Sequence, residues 1–83
     1  MVDSGSQKQA HQVLDCIGLY CPMPVIKTKQ EMDNMAVGQV LEVLADDNAA
    51  EEDLKAWAKR TGQKILEIEK TDEGMRFLIR KEK

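Results

Sequence analysis

Apolar and polar positions change their period several times along this chain, and the changes mark out six elements. Val13-Leu14-Asp15-Cys16 has the short run of a strand, and the loop Ile17-Gly18-Leu19-Tyr20 follows, where Gly18 offers a backbone conformation closed to other residues. From Pro22 to about Met35 the spacing becomes helical. Val25, Thr28, Met32 and Met35 share one face, Ile26 flanks it, and Lys27, Gln30, Glu31 and Asn34 take the solvent side. Gly38 marks the next turn. Val40, Leu41, Val43, Leu44 and Ala45, interrupted only by Glu42, read as a strand covered on most of its area, and so a central one.

A second helix is announced by Asn48 with Glu51 three residues on, the pattern of a capping box; Ala50, Leu54, Trp57, Ala58 and Thr61 then keep helical spacing until Gly62. Lys64 to Lys70 and Met75 to Lys81 alternate in the strand period, and Asp72-Glu73-Gly74 supplies the turn between them. The predicted order is β-α-β-α-β-β. Each helix has a single apolar face, which suits an α/β two-layer sandwich: a four-stranded mixed sheet, both helices on one face, the other face partly wet. Residues 13–83 form a single domain in this reading. Residues 1–12, polar and without apolar periodicity, are expected to be a flexible tail that leaves His11 solvated.

Length and charge narrow the function. A chain of 83 residues buries roughly 60–65% of the surface its unfolded form exposes, which leaves no room for a cofactor domain, and no cofactor is expected. Tyr20, Trp57 and Phe77 are too few for a large apolar pocket. Twelve basic against fifteen acidic residues, a net charge of −3, argue against direct nucleic-acid binding and point to protein partners. No apolar run is long enough for a membrane span or a signal peptide, so the expected location is cytoplasmic, where thiols stay reduced. Two cysteines and one histidine cannot close a four-ligand zinc site without carboxylates, and no metal site is expected.

The candidate reactive atom is the sulfur of Cys21. With Cys21 as N-cap, Pro22 and Pro24 fall at the first and third helical positions, giving a rigid entry to the helix. A thiol at a helix N-terminus is favoured in its thiolate form, and the amides of Cys21 and Met23 are expected to be free to stabilise an anion there. Period-2 counting puts Cys16 on the side of Leu14, where an inert core cysteine is expected; the alternative is a resolving thiol for Cys21. Leu19, Tyr20, Met23 and Lys27 are candidate docking positions, with Lys29 as a further one on the same helix. Asp46 and Asp47 leave the central strand where crevices gather in open α/β sheets, placed to cap the second helix or meet a partner. Arg76, Arg80, Lys81 and Lys83 form a basic end, read as a solvated strand edge rather than an RNA contact.

Gly18-Leu19-x-Cys21-Pro22-x-Pro24 at the first strand-to-helix turn, with Leu14-Asp15, Gly38, Ala45-Asp46-Asp47 and Phe77-Leu78-Ile79-Arg80 in order around it, resembles the TusA/SirA-like family of small sulfur carriers. The match runs from about Leu14 to Lys81. Met23 and Asn48 depart from the family's usual polar residue and proline, and Cys16 is not required by its motif. The resemblance implies a sulfurtransferase-type carrier in which Cys21 holds sulfane sulfur as a persulfide. It implies a cysteine desulfurase or rhodanese-type donor and a downstream acceptor protein thiol, in a relay serving tRNA thiolation, cofactor biosynthesis or sulfur metabolism. Two alternatives stand beside it: a dithiol redox protein using Cys16 and Cys21, and a non-catalytic regulatory module.

Overall fold

The predicted order of elements is the observed one. The computed structural model describes residues 12–83, in which β1 (Gln12–Cys16), α1 (Met23–Asp33), β2 (Val40–Ala45), α2 (Ala50–Thr61), β3 (Lys64–Thr71) and β4 (Gly74–Arg80) succeed one another. The strands make a four-stranded sheet in the order β1-β2-β4-β3, with β1 parallel to β2 and the other neighbouring pairs antiparallel. The sheet is therefore mixed, and β2 is interior as its apolar run requires. Gln12, assigned to the tail from sequence, already pairs with Leu41 in β1; residues 1–11, His11 among them, lie outside the described residues.

One sheet face carries the core. Cys16, Leu41, Val43, Ala45, Phe77 and Ile79 from the strands meet Met32 and Met35 from α1 and its end, and Ala50, Leu54, Trp57 and Ala58 from α2. Both helices thus cover the same face, the arrangement that buries each one's single apolar stripe. The opposite face is charged: the Arg76 guanidinium lies 2.7 Å from Glu69, 3.5 Å from Glu42 and 4.0 Å from Glu67. Leu78, on this face between Glu42 and Glu67, is nevertheless fully buried.

The basic end is not the solvated edge expected from sequence. Arg76 is taken up by the three glutamates, and Arg80 Nε donates to Glu82 Oε2 at 2.7 Å. Lys81 Nζ donates to the carbonyls of Met32 and Met35, both at 2.8 Å, at and just beyond the end of α1, where the Met32 carbonyl also accepts the tightened-turn bond from Met35 N–H at 3.0 Å. Lys81→Met keeps the aliphatic stem and removes these charge-assisted bonds. It is expected to lower stability by about 2 kcal/mol, seen as a lower urea midpoint with an unchanged slope.

Three local readings need correction. Helix α1 begins at Met23 with Pro22, not Cys21, at the N-cap. The capping box of α2 is not made: Ala49 holds the N-cap position without a side-chain cap, and Asp47 takes over, its carbonyl accepting from Ala50 N–H at 3.0 Å and Oδ1 from Ala49 N–H at 3.4 Å. In the hairpin only Asp72 and Glu73 form the turn, because Gly74 already pairs with Thr71 in the ladder.

Candidate functional site

Cys21 is exposed at the entrance to α1, on a loop held by three aspartates rather than by helix capping. Asp15 Oδ1 accepts from Ile17 N–H at 3.0 Å, Asp46 Oδ1 from Gly18 N–H at 2.9 Å, and Asp47 Oδ2 from Cys21 N–H at 2.7 Å. Asp46 and Asp47 reach the loop because β1 and β2 are parallel neighbours, so the exits of both strands open at the same edge of the sheet. Gly18 lets the chain turn there at φ +86°, with open space where a Cβ would stand, so the requirement is purely conformational. Leu19 N–H donates to Cys16 O at 3.1 Å, and its side chain packs on the core.

The Cys21–Pro22 peptide bond is cis, and Pro24 occupies the second helical position instead of the third. Both amides proposed from sequence as anion donors have partners: that of Cys21 is bound to Asp47, and that of Met23 donates to Tyr20 O at 2.8 Å. The expectation of a helix-activated thiolate fails with them. The Cys21 thiol is pushed above the ordinary cysteine range, first through its side-chain hydrogen bond with Asp53, then by desolvation and by the negative charges of Asp53 and Asp47. Nearby carboxylates outweigh the helix end, from which Cys21 is set back by one residue.

Asp53 belongs to α2 and faces Cys21 across a groove of about 240 Å³ lined by Cys21, Pro22, Val25, Asp53, Ala56 and Arg60. Sequence reasoning missed Asp53 and Arg60. Their spacing from Ala56 on α2 places all three along one side of that helix, a signal that becomes informative only once α1 is known to lie beside it. It also missed Asp15 as a loop anchor.

Of the docking candidates, Tyr20, which precedes Cys21 in the chain, is 73% exposed and Met23 37% exposed, and Ile26 further along α1 is exposed as well. Lys27 is exposed but does not line the groove, and its charge bears on Cys16. Lys29 pairs with Asp33 one turn along α1, at 2.8 Å. Cys16 is fully buried in the core, and burial raises its pKa, with Asp15 adding to the effect and Lys27 opposing it.

A pH profile tests the electrostatics. Thiolate is the reactive form, so a raised pKa means that alkylation of Cys21 by iodoacetamide is slow at neutral pH and rises with a midpoint above that of a free cysteine. Asp53→Asn removes a carboxylate that favours the protonated sulfur. It is expected to move the midpoint down and to speed alkylation at neutral pH; an unmoved midpoint would remove Asp53 from the site.

Comparison with known proteins bears on what such a cysteine does. A family model described as "Sulfurtransferase TusA" matches residues 12–81. The chain is 46% identical over 68 residues to a putative sulfur carrier protein of Archaeoglobus fulgidus, covering 81% of this chain and 88% of that one. It is 47% identical over 75 residues to the putative sulfur carrier protein YrkI of Bacillus subtilis, covering 88% and 97%. The solved structure of a SirA-like protein from Desulfitobacterium hafniense superposes with a TM-score of 0.71 at 27% identity, over 83% of this chain and 93% of that one.

Proposed function

This chain belongs to the TusA/SirA-like family of sulfur carriers, and we propose that it carries sulfane sulfur as a persulfide on Cys21 between a donor protein and an acceptor protein thiol. In loading, the Cys21 thiolate attacks the outer sulfur of a donor persulfide, a new S–S bond forms at Cys21, and the donor leaves as a thiolate. In discharge, an acceptor thiolate attacks the outer sulfur now on Cys21. The bond between the two sulfurs breaks, and its electron pair remains on Cys21. Neither step needs an oxidant, because each breaks one S–S bond and makes another.

The observation that carries this reading is an exposed Cys21 on a loop pinned by Asp15, Asp46 and Asp47, with the second cysteine buried. Exposure gives a partner access to the sulfur. Pinning gives it one position. A cysteine desulfurase or a rhodanese-type enzyme is the class of donor that supplies such a sulfur, and the cytoplasm is the setting that keeps Cys21 reduced between cycles. Docking falls on Tyr20 and Met23, on either side of Cys21 in the chain.

Burial of Cys16 weighs against the dithiol reading, since a resolving thiol must reach the modified sulfur. The test is Cys16→Ala: sulfur loading from a cysteine desulfurase with L-cysteine, or a rhodanese with thiosulfate, is expected to persist. Loss of transfer in a folded Cys16→Ala protein would instead favour the two-cysteine mechanism.

A further inference from the structure

The electrostatics around Cys21 oppose the thiolate form that sulfur exchange requires, and that opposition has a use. Asp53 lies across the groove from the sulfur, and Asp47 is bound to the Cys21 amide. Among the described residues, the charged groups facing Cys21 from the elements around it are Asp47 on the β2–α2 connection and Asp53 and Arg60 on α2; Lys27, on the helix that follows Cys21, lies outside the groove. Arg60 stands seven residues beyond Asp53, about 10 Å along the helix axis, and it is not among the groups that shift the Cys21 thiol. The two charged groups that bear on the Cys21 thiol, Asp53 and Asp47, are both negative.

We propose that Asp53, with Asp47, is a specificity-determining residue that makes the Cys21 sulfur selective for reaction partners bringing positive charge and guards it against small anionic nucleophiles. The proposal rests on the persulfide reading for its biological meaning. A sulfane sulfur exposed at a surface is open to any thiolate, and abundant small thiols and sulfur oxyanions carry negative charge. A carboxylate beside the sulfur repels them. A protein acceptor whose thiol is flanked by lysine or arginine neutralises that carboxylate on docking and meets no such barrier. The same neutralisation removes what holds Cys21 protonated, so the leaving thiolate is stabilised only when the proper acceptor is seated.

Charge selectivity can be read without a persulfide. Methanethiosulfonate reagents react with a thiolate to give a mixed disulfide and release methanesulfinate, and they are made with a cationic trimethylammonium or an anionic sulfonate tail. The ratio of their rates cancels the thiolate fraction. With Cys16 buried, the first equivalent reports Cys21. Normalised to the same ratio for 2-mercaptoethanol at low salt, wild type is expected to prefer the cation by about tenfold, since a reagent charge about 7 Å from one carboxylate is worth roughly threefold per unit charge in water and the two reagents differ by two units. Raising the salt to shorten the Debye length is expected to collapse the preference. Asp53→Asn is expected to bring it towards one at low salt. A wild-type ratio near one, or a preference insensitive to both salt and Asp53→Asn, overturns the proposal. The salt arm needs no variant, and either result leaves the sulfur-loading experiments to judge the carrier reading separately.

Discussion

Cys21→Ser is expected to take up no sulfur from either donor class while remaining as stable as wild type. A hydroxyl does not form the anion that attacks sulfur near neutral pH, so the loss is complete to the limit of detection, on the order of a thousandfold or more. No other thiol substitutes, because Cys16 is fully buried. Stability should hold because the Cys21 side chain is exposed, and the bond that fixes its loop, from its N–H to Asp47 Oδ2, belongs to the backbone and survives the change. The measurement pairs radiolabelled sulfur incorporation with thermal unfolding. Retained label in Cys21→Ser would move the carrier atom elsewhere.

Gly74→Ala is expected to be the most destabilising small substitution at the edge of the site. A Cβ at position 74 would meet the carbonyl oxygen of Ala45 well inside contact distance and stand 2.8 Å from Asp46 Cα, and the residue's φ of +154° suits only glycine. Rigid backbone on the other side leaves nothing to yield. Overpacking and conformational strain together cost about 3–4 kcal/mol, against a total of roughly 4–12 kcal/mol for a chain of this length. The melting temperature should fall by roughly 15 °C or more. Gly18→Ala is the control: its φ of +86° is also unfavourable, but a Cβ there has open space, so only the conformational cost remains, about 1 kcal/mol. Equal losses at the two positions would contradict the contact seen at Gly74. Because Asp46 also holds Gly18 N–H, surviving Gly74→Ala protein should load sulfur more slowly as well.

These two positions show where sequence and structure part. The fold was legible because its signals are periodic and local: the apolar run of β2, the stripes of α1 and α2, and the alternation of β3 and β4 each survive without knowledge of neighbours. Cys21 stands out in the sequence as the candidate through its two prolines and Gly18 three residues before it. Its electrostatics were not. In sequence Asp53 is one of three acids in the first turn of α2, after Glu51 and Glu52, and a helix dipole explains all three equally well. Only the packing of α2 beside α1 turns Asp53 towards the sulfur. Lys81 is a similar case, since a basic residue at a chain end reads as solvated until β4 delivers it to the carbonyls of Met32 and Met35. Asp46 and Asp47 stood at the correct corner, and one suggested role, capping of α2, holds in part for Asp47. Their hold on the Cys21 loop depends on the parallel pairing of β1 with β2, which local patterning does not specify.

Sulfur carriage by Cys21 requires one species, a persulfide at that residue, and intact-protein mass spectrometry observes it directly. Wild-type protein incubated with a cysteine desulfurase and L-cysteine, and in parallel with a rhodanese and thiosulfate, should gain the mass of one sulfur atom from at least one donor. Dithiothreitol should reverse the gain, and peptide mapping should place it on the fragment that holds Cys21. A loss of two hydrogens instead, from a Cys16–Cys21 disulfide, or an unchanged mass with both donors would contradict it.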